Sequence, residues 1–439
     1  MRMRFSNSSS VPILDGATFI RSLEGIHEYR LDSNGLQILL APDATTPVAG
    51  LMVTYRVGSR NEAVGYTGAT HLLEHLMFKG SKNFNKAKGN TIWELLETKG
   101  ALVNATTWND RTNYYAVVPQ EYLPSAIALE ADRMRRANIV EEDRQSEMPI
   151  VRNEFERGEN KMMHALDKQL WALAYTAHPY HHPTIGWRSD IENVSIERLK
   201  KFYDDFYHPD NATVSVVGSF DSEATLAAII KEFGVHSKAP ISSAKIYTEE
   251  PKQEGERRAV IKRAGHSNMV AIAHKIPAAT DPDMPAILML AFILGASKTS
   301  RLYRALIDTA LATDVSTTCY QFRDPSLLIS YITLTPRTRH EAMEKRLKQE
   351  FQKIISKGVT TQELTQAKRF LRAYVASRRD GPYALLENLN EEIATGDWAR
   401  FVTLPQALMR VTAKEVQKVA KKYLIDDQST VGYFIGTNA

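Results

Sequence analysis

Three residues in the stretch Gly68-Ala-Thr-His71-Leu-Leu-Glu74-His75-Leu-Met-Phe-Lys-Gly80 have the types and spacing to do chemistry. On a helix, His71 and His75 stand one turn apart on one face, with Glu74 beside His75. Imidazole nitrogen is a common zinc ligand, and two ligands on one rigid helix supply half of a tetrahedral site at small entropic cost. A carboxylate held next to them can take a proton from a metal-activated water. The order H-x-x-E-H reverses the H-E-x-x-H arrangement. The competing interpretation is an ordinary core helix with satisfied polar groups. Burying a polar group without a partner costs roughly 2–7 kcal/mol, so three of them among leucines favour a ligand.

The segments around the motif read as the elements that must position it. Leu36–Ala41 and Val48–Val57 read as strands separated by a turn over Asp43–Pro47, and Gly58–Thr67 as a polar loop entering the motif helix. Thr91–Lys99 reads as a short helix closed by Gly100, followed by strands over Leu102–Thr107 and Thr112–Val118. A helix is expected from about Tyr122 to Ala137. Another starts near Glu141 and passes through Glu147 and Glu154, with a kink or break at Pro149. Ser195–Tyr207 is amphipathic, and Ala212–Gly218 is a strand. Between them His178, His181 and His182 form a second metal-site candidate, on a loop interrupted by Pro179 and Pro183 that offers little scaffold.

Composition narrows the class. At 439 residues the chain exceeds one ordinary core, and 43% hydrophobic with 24% charged residues is a globular balance. The net charge of +4 is mild, and no basic block or aromatic-interleaved basic stripe suggests a nucleic-acid surface. With the single cysteine Cys319, a metal must be held by nitrogen and oxygen. Met1–Ser10 is basic and Ser-rich without a following apolar segment, and no run reaches transmembrane length. No membrane association is expected. The default compartment is the cytoplasm, or the periplasm if a signal peptide was removed.

The second half echoes the first. Ser195–Tyr203 followed by a strand ending at Gly218 is matched by Thr412–Ala420 and a strand ending at Gly436, and the segment from Val140 by that from Val359. Setting Gly295 on Gly80 puts Ala286, Met289 and Leu290 where His71, Glu74 and His75 stand. Setting Val359 on Val140 puts Gln366 and Ala373 opposite Glu147 and Glu154. Groups needed only for folding would be expected in both copies, so the contrast indicates one active and one inactive repeat. The expected fold is α+β: two homologous domains, each a mixed, mostly antiparallel sheet with helices packed on one face. The expected division is 1–236, a polar linker at 237–255, and 256–439.

With these features the sequence resembles the pitrilysin and mitochondrial-processing-peptidase family of zinc proteases, the inverzincins. The resemblance covers about Leu36 to Gly436. It rests on His71-Leu-Leu-Glu-His75, on Glu147 and Glu154 two helical turns apart, and on the duplication. It implies Zn2+ held by His71, His75 and Glu154, with Glu74 as general base and Glu147 as a supporting acid that orients a ligand imidazole. It also implies that substrate adds as a strand along Leu102–Thr107, at Asn104, Ala105 and Thr106. The implied activity is endopeptidase cleavage of extended peptides or unfolded segments by a zinc-activated water. A non-catalytic scaffold subunit and a metal hydrolase of a non-peptide substrate are the alternatives.

One departure bears on partners. Active relatives draw an arginine and a tyrosine from the inactive-type domain or a partner chain to hold the substrate carbonyl. Aligned on Ser300-Arg-Leu, those positions fall on Ile307 and Asp314, while Tyr303 and Arg304 are out of register. A heterodimer is therefore expected, with a homologous subunit supplying the pair.

Overall fold

The computed structural model describes residues 11–240 and 246–437. The Met1–Ser10 stretch and residues 241–245 of the expected linker lie outside the described residues. In spatial order the first sheet comprises β1 (Ala17–Leu23), β2 (Ile26–Leu31), β3 (Gln37–Pro42), β7 (Ala212–Gly218), β4 (Val48–Tyr55), β6 (Thr112–Pro119) and β5 (Leu102–Thr107). The second comprises β10 (Ala312–Cys319), β11 (Ser326–Leu334), β9 (Met269–Ile276), β12 (Ser429–Thr437) and β8 (Arg257–Ala264). Within these sheets only β3 with β7 and β8 with β12 pair in parallel. The runs β3-β7-β4-β6-β5 and β8-β12-β9-β11-β10 share order and polarity, so the expected α+β duplication is realised strand for strand. Strands β1 and β2 extend the first copy and were not foreseen.

Burial along the strands reports their place. β7 is buried throughout and β4 at all but its first residue, as continuous apolar strands covered on both faces must be. β5 alternates exposed and covered positions because it is an edge.

By internal contacts one compact unit holds the chain through Asn153, Pro183–Tyr247 and Ala376–Val402. The other holds Glu154–His182, Thr248–Val375 and the chain from Thr403. This differs from a single division at 237–255, because each half of the sequence gives one helix to the other half's sheet. In the first unit the Gly381–Thr395 helix places Leu385, Leu386 and Leu389 against Leu39, Met52, Tyr115 and Val217. In the second, the Met162–Ala174 helix places Leu166, Leu170 and Trp171 against Met269, Ala271, Ile329 and Phe434. Both exchanged helices come close at a strand glycine. A Cβ on Gly50 would lie 2.5 Å from Leu386 Cδ1, and one on Gly432 would lie 2.8 Å from Leu166 Cδ1.

The opposite faces carry the helices the sequence led one to expect. Leu123–Arg136 lies on β4 and β6, and Met284–Gly295 and Ala413–Tyr423 lie on the second sheet. Beyond the expected helices on one face, each sheet thus carries an exchanged helix as well, since helical periodicity shows that a stripe is buried but not against which sheet.

Two local expectations also change. The Glu141–Glu159 helix runs unbroken through Pro149, and a new helix starts at Met162. Proline removes one N–H bond there, which burial of Met148 and Val151 offsets. The later part of the linker is anchored. Glu250 accepts from the backbone N–H groups of Thr176, Ala177 and His178 at 2.9, 2.9 and 3.1 Å and pairs with Lys275. Burial raises its pKa, yet these donors outweigh that and hold it down to about 2.

Candidate active site

The motif forms the Ala69–Leu76 helix, with Leu72, Leu73 and Leu76 buried and His71, Glu74 and His75 on its partly exposed side. Its first turn needs acceptors, and the residue at its cap is Gly68, held at φ +85° with no side chain to offer. Buried Glu62 supplies them: its carboxylate accepts from Gly68 N and Thr70 N, both at 2.7 Å. A negative charge at a helix N-terminus is also favoured by the aligned peptide dipoles. Asp190 ties the same loop by accepting from Gly65 N, Thr67 N and the Thr67 hydroxyl. The approach requires Gly186, where a Cβ would stand 2.3 Å from Thr67 O.

The fold brings His71, His75 and Glu154 together, with donor atoms of the three within 4.8 Å of one another. The unit boundary falls at Glu154, but the Glu141–Glu159 helix is continuous, so Glu154 is placed by the same helix as Glu147. His75 Nδ1 lies 2.9 Å from Glu147 Oε2. A ring that donates through Nδ1 keeps Nε2 in the unprotonated, ligating form. Glu147 also pairs with Lys79. Burial raises the Glu147 pKa, but Lys79 and His75 outweigh it, and the carboxyl titrates below its ordinary range. Burial, with a smaller contribution from His75, pushes the His71 imidazole down to about 3, so it is neutral at neutral pH as a ligand must be. Glu74 accepts a hydrogen bond from the Thr107 hydroxyl on β5. Two imidazoles and one carboxylate fit a zinc site with an open coordination position.

β5 ends the sheet, so one row of its backbone groups has no partner strand among the described residues. Asn104, Ala105 and Thr106 lie on it, opposite Tyr115, Tyr114 and Asn113 of β6. Side chains alternate: Thr107 reaches the motif helix, while Tyr115, opposite Asn104, packs on Tyr383 at 5.0 Å between ring centroids. Asn104 Oδ1 accepts from Ala105 N at 2.9 Å.

Other sequence candidates take structural places. His178 accepts from Tyr180 N at 3.2 Å through Nδ1 and meets Asp324 at 3.0 Å through Nε2. With both nitrogens engaged, it caps a 3-10 turn, and His178, His181 and His182 do not form a metal-ligating group among the described residues. Ile307 packs against the core of the second sheet, and Asp314 lies at a bulge of edge strand β10. Glu62, Lys79 and Thr107 were missed. Lys79 carried a readable signal, since it stands one turn after His75 on the same face. Thr107 carried a weaker one, sharing strand parity with Ala105. Nothing local marks Glu62.

Comparison with known proteins agrees with this layout. Residues 37–187, which contain the motif, match the profile of Insulinase (Peptidase family M16), and residues 193–371 match that of the Peptidase M16 inactive domain. A zinc protease, PqqE, of Helicobacter pylori is 31% identical over 92% of this chain and 91% of its own length. The chain belongs to peptidase family M16. Among its M16 relatives, a probable mitochondrial-processing peptidase subunit beta of Schizosaccharomyces pombe is 26% identical, covering 91% of this chain and 89% of that protein. The crystal structure of a protease from Helicobacter pylori superposes with a TM-score of 0.88 at 29% identity, over 93% of this chain and 99% of that one. The inactive-domain match begins before β7 and takes in the second copy's counterpart of the motif helix, Met284–Gly295, where Ala286, Met289 and Leu290 are buried apolar residues.

Proposed function

We propose that this M16 chain is a zinc-dependent endopeptidase acting on extended peptides or unfolded segments, with His71, His75 and Glu154 as ligands and Glu74 as general base. The observation that supports it best is the convergence of those three donors within 4.8 Å from two helices, with Glu74 on the same helix as the histidines. His71, His75 and Glu154 would hold a zinc ion, which when bound would supply Lewis acidity for peptide-bond hydrolysis. Glu74 takes the proton of the attacking water and returns it to the leaving amine. The Thr107 hydroxyl donates to Glu74 Oε2 and helps hold the carboxylate in one orientation. Glu147 orients His75 through Nδ1, and Lys79 keeps Glu147 ionised for that task. The substrate backbone adds to β5 along Asn104, Ala105 and Thr106, which gives affinity without strong sequence preference and disfavours folded proteins. A non-catalytic scaffold has no need of an intact donor set.

Ile307 and Asp314 offer nothing to hold a substrate carbonyl, and we assign that task to a second, homologous subunit. The relative in Schizosaccharomyces pombe named as a subunit beta supports such an assembly.

Metal analysis of Glu154→Ala protein tests the ligand set. Zinc content should fall from a full equivalent to a small fraction while the fold is kept, and retention of the full equivalent would remove Glu154 from the site. Glu147→Gln should keep the ligands but weaken zinc affinity by about 10–100-fold in a chelator competition. Unchanged affinity would leave Glu147 with no orienting role.

A further inference from the structure

Edge strand β5 is paired on one side only, yet strand addition requires it to present its backbone in a fixed register. Polar side chains tie it on the sheet face away from the motif helix, buried at Arg111, Asn113, Asn390 and Thr54 and open to solvent at Thr106 and Glu391. Arg111, 8% exposed, closes the β5–β6 turn, its carbonyl accepting from Trp108 N at 2.9 Å. Its guanidinium forks. Nη1 donates to Thr106 O at 3.2 Å, to Thr106 Oγ1 at 2.6 Å and to Asn113 Oδ1 at 2.8 Å. Nε donates to Glu391 Oε1 at 3.0 Å, and Nη2 meets the same oxygen. Next to Glu391, Asn390 donates to Asn113 Oδ1 at 3.3 Å and accepts from the Thr54 hydroxyl at 2.7 Å.

Glu391 and Asn390 belong to the Gly381–Thr395 helix, the exchanged element of this unit. A buried guanidinium requires a compensating carboxylate, and only a planar fork can serve Glu391 and Thr106 together. Resting on the assignment of β5 as the substrate-pairing edge, we propose that Arg111 and Glu391 are a positioning pair, through which the exchanged helix holds the strand that receives substrate. The pair touches neither substrate nor metal. It acts on the backbone at Thr106, one residue before the Thr107 that engages Glu74. The second repeat thereby contributes to peptide binding through a helix lodged behind the first sheet.

The test measures binding, in a Glu74→Gln background that prevents turnover, of a fluorescent extended peptide and of the same peptide N-methylated at alternate residues so that it cannot pair as a strand. Glu391→Gln and Arg111→Lys should each weaken the unmodified peptide by about tenfold, the scale of one lost charged hydrogen bond, with zinc content unchanged. Neither should alter the residual binding of the N-methylated peptide. Equal weakening of both peptides would reduce the pair to general structural support, and unchanged affinity for the unmodified peptide in both variants would remove the pair's role. If the N-methylated peptide binds the Glu74→Gln parent as tightly as the unmodified one, the edge-pairing assignment itself fails, independently of Arg111 and Glu391.

Discussion

Replacing Glu74 with Gln is expected to lower peptide turnover by about a hundred- to ten-thousandfold while zinc remains bound, the range over which a positioned general base contributes. The amide keeps the shape of the carboxylate, and its oxygen can still accept from the Thr107 hydroxyl, so the orientation seen for Glu74 survives. What it loses is the capacity to take a proton. His71, His75 and Glu154 are untouched, and the Glu62 cap that sets the motif helix is unaltered. Turnover of a flexible peptide and metal content should be measured on the same preparation. Full turnover with full zinc would exclude Glu74 as the base, whereas loss of zinc would show that the substitution had disturbed the site.

The second large effect is expected from a partner. Assayed alone, the chain should bind zinc normally and cleave slowly, and a homologous subunit carrying an arginine and a tyrosine in place of Ile307 and Asp314 should raise the rate by about a hundred- to a thousandfold, the cost typical of a missing oxyanion donor. Ile307 is tied into an apolar core, and Asp314 would repel a developing negative charge. A homodimer repeats the same residues and should give no such gain. The measurement is a titration of the chain with the candidate subunit, following rate and complex mass together. A lone chain already at full activity, unchanged by the addition, would transfer the carbonyl-holding role to residues of this chain such as Tyr303 and Arg304.

Sequence and tertiary structure divide the determination of this molecule along a physical line. The motif helix, the edge strand Leu102–Thr107 and the strand Ala212–Gly218 were legible because each is set by spacing within a few residues: one helical turn for His71 and His75, period two or continuous apolar character for the strands. The duplication was legible because it repeats those local patterns, and the loss of polar residues in its second copy marked where chemistry is concentrated.

Other features required the chain to close on itself. For the helices Met162–Ala174 and Gly381–Thr395 the choice of sheet came from packing, aided at Gly50 and Gly432 by the absence of a Cβ. The expectation of a kink or break at Pro149 weighed one lost hydrogen bond without the burial on either side of it. Glu62 was read as part of a polar loop, because a carboxylate that caps a helix six residues later looks locally like any solvated acid. The contact between Arg111 and Glu391 joins residues from opposite halves of the sequence, where no local rule operates. By itself, then, the sequence determined which residues could bind a metal and the type of those segments whose pattern is set within a few residues, since these depend on side-chain chemistry and short-range geometry. Only the tertiary structure decided that Glu154 meets the histidines, that Thr107 and Glu147 fix Glu74 and His75, and that a helix from the second repeat backs the edge strand, because each of these is a contact between groups far apart in the chain that exists only once the sheets are packed.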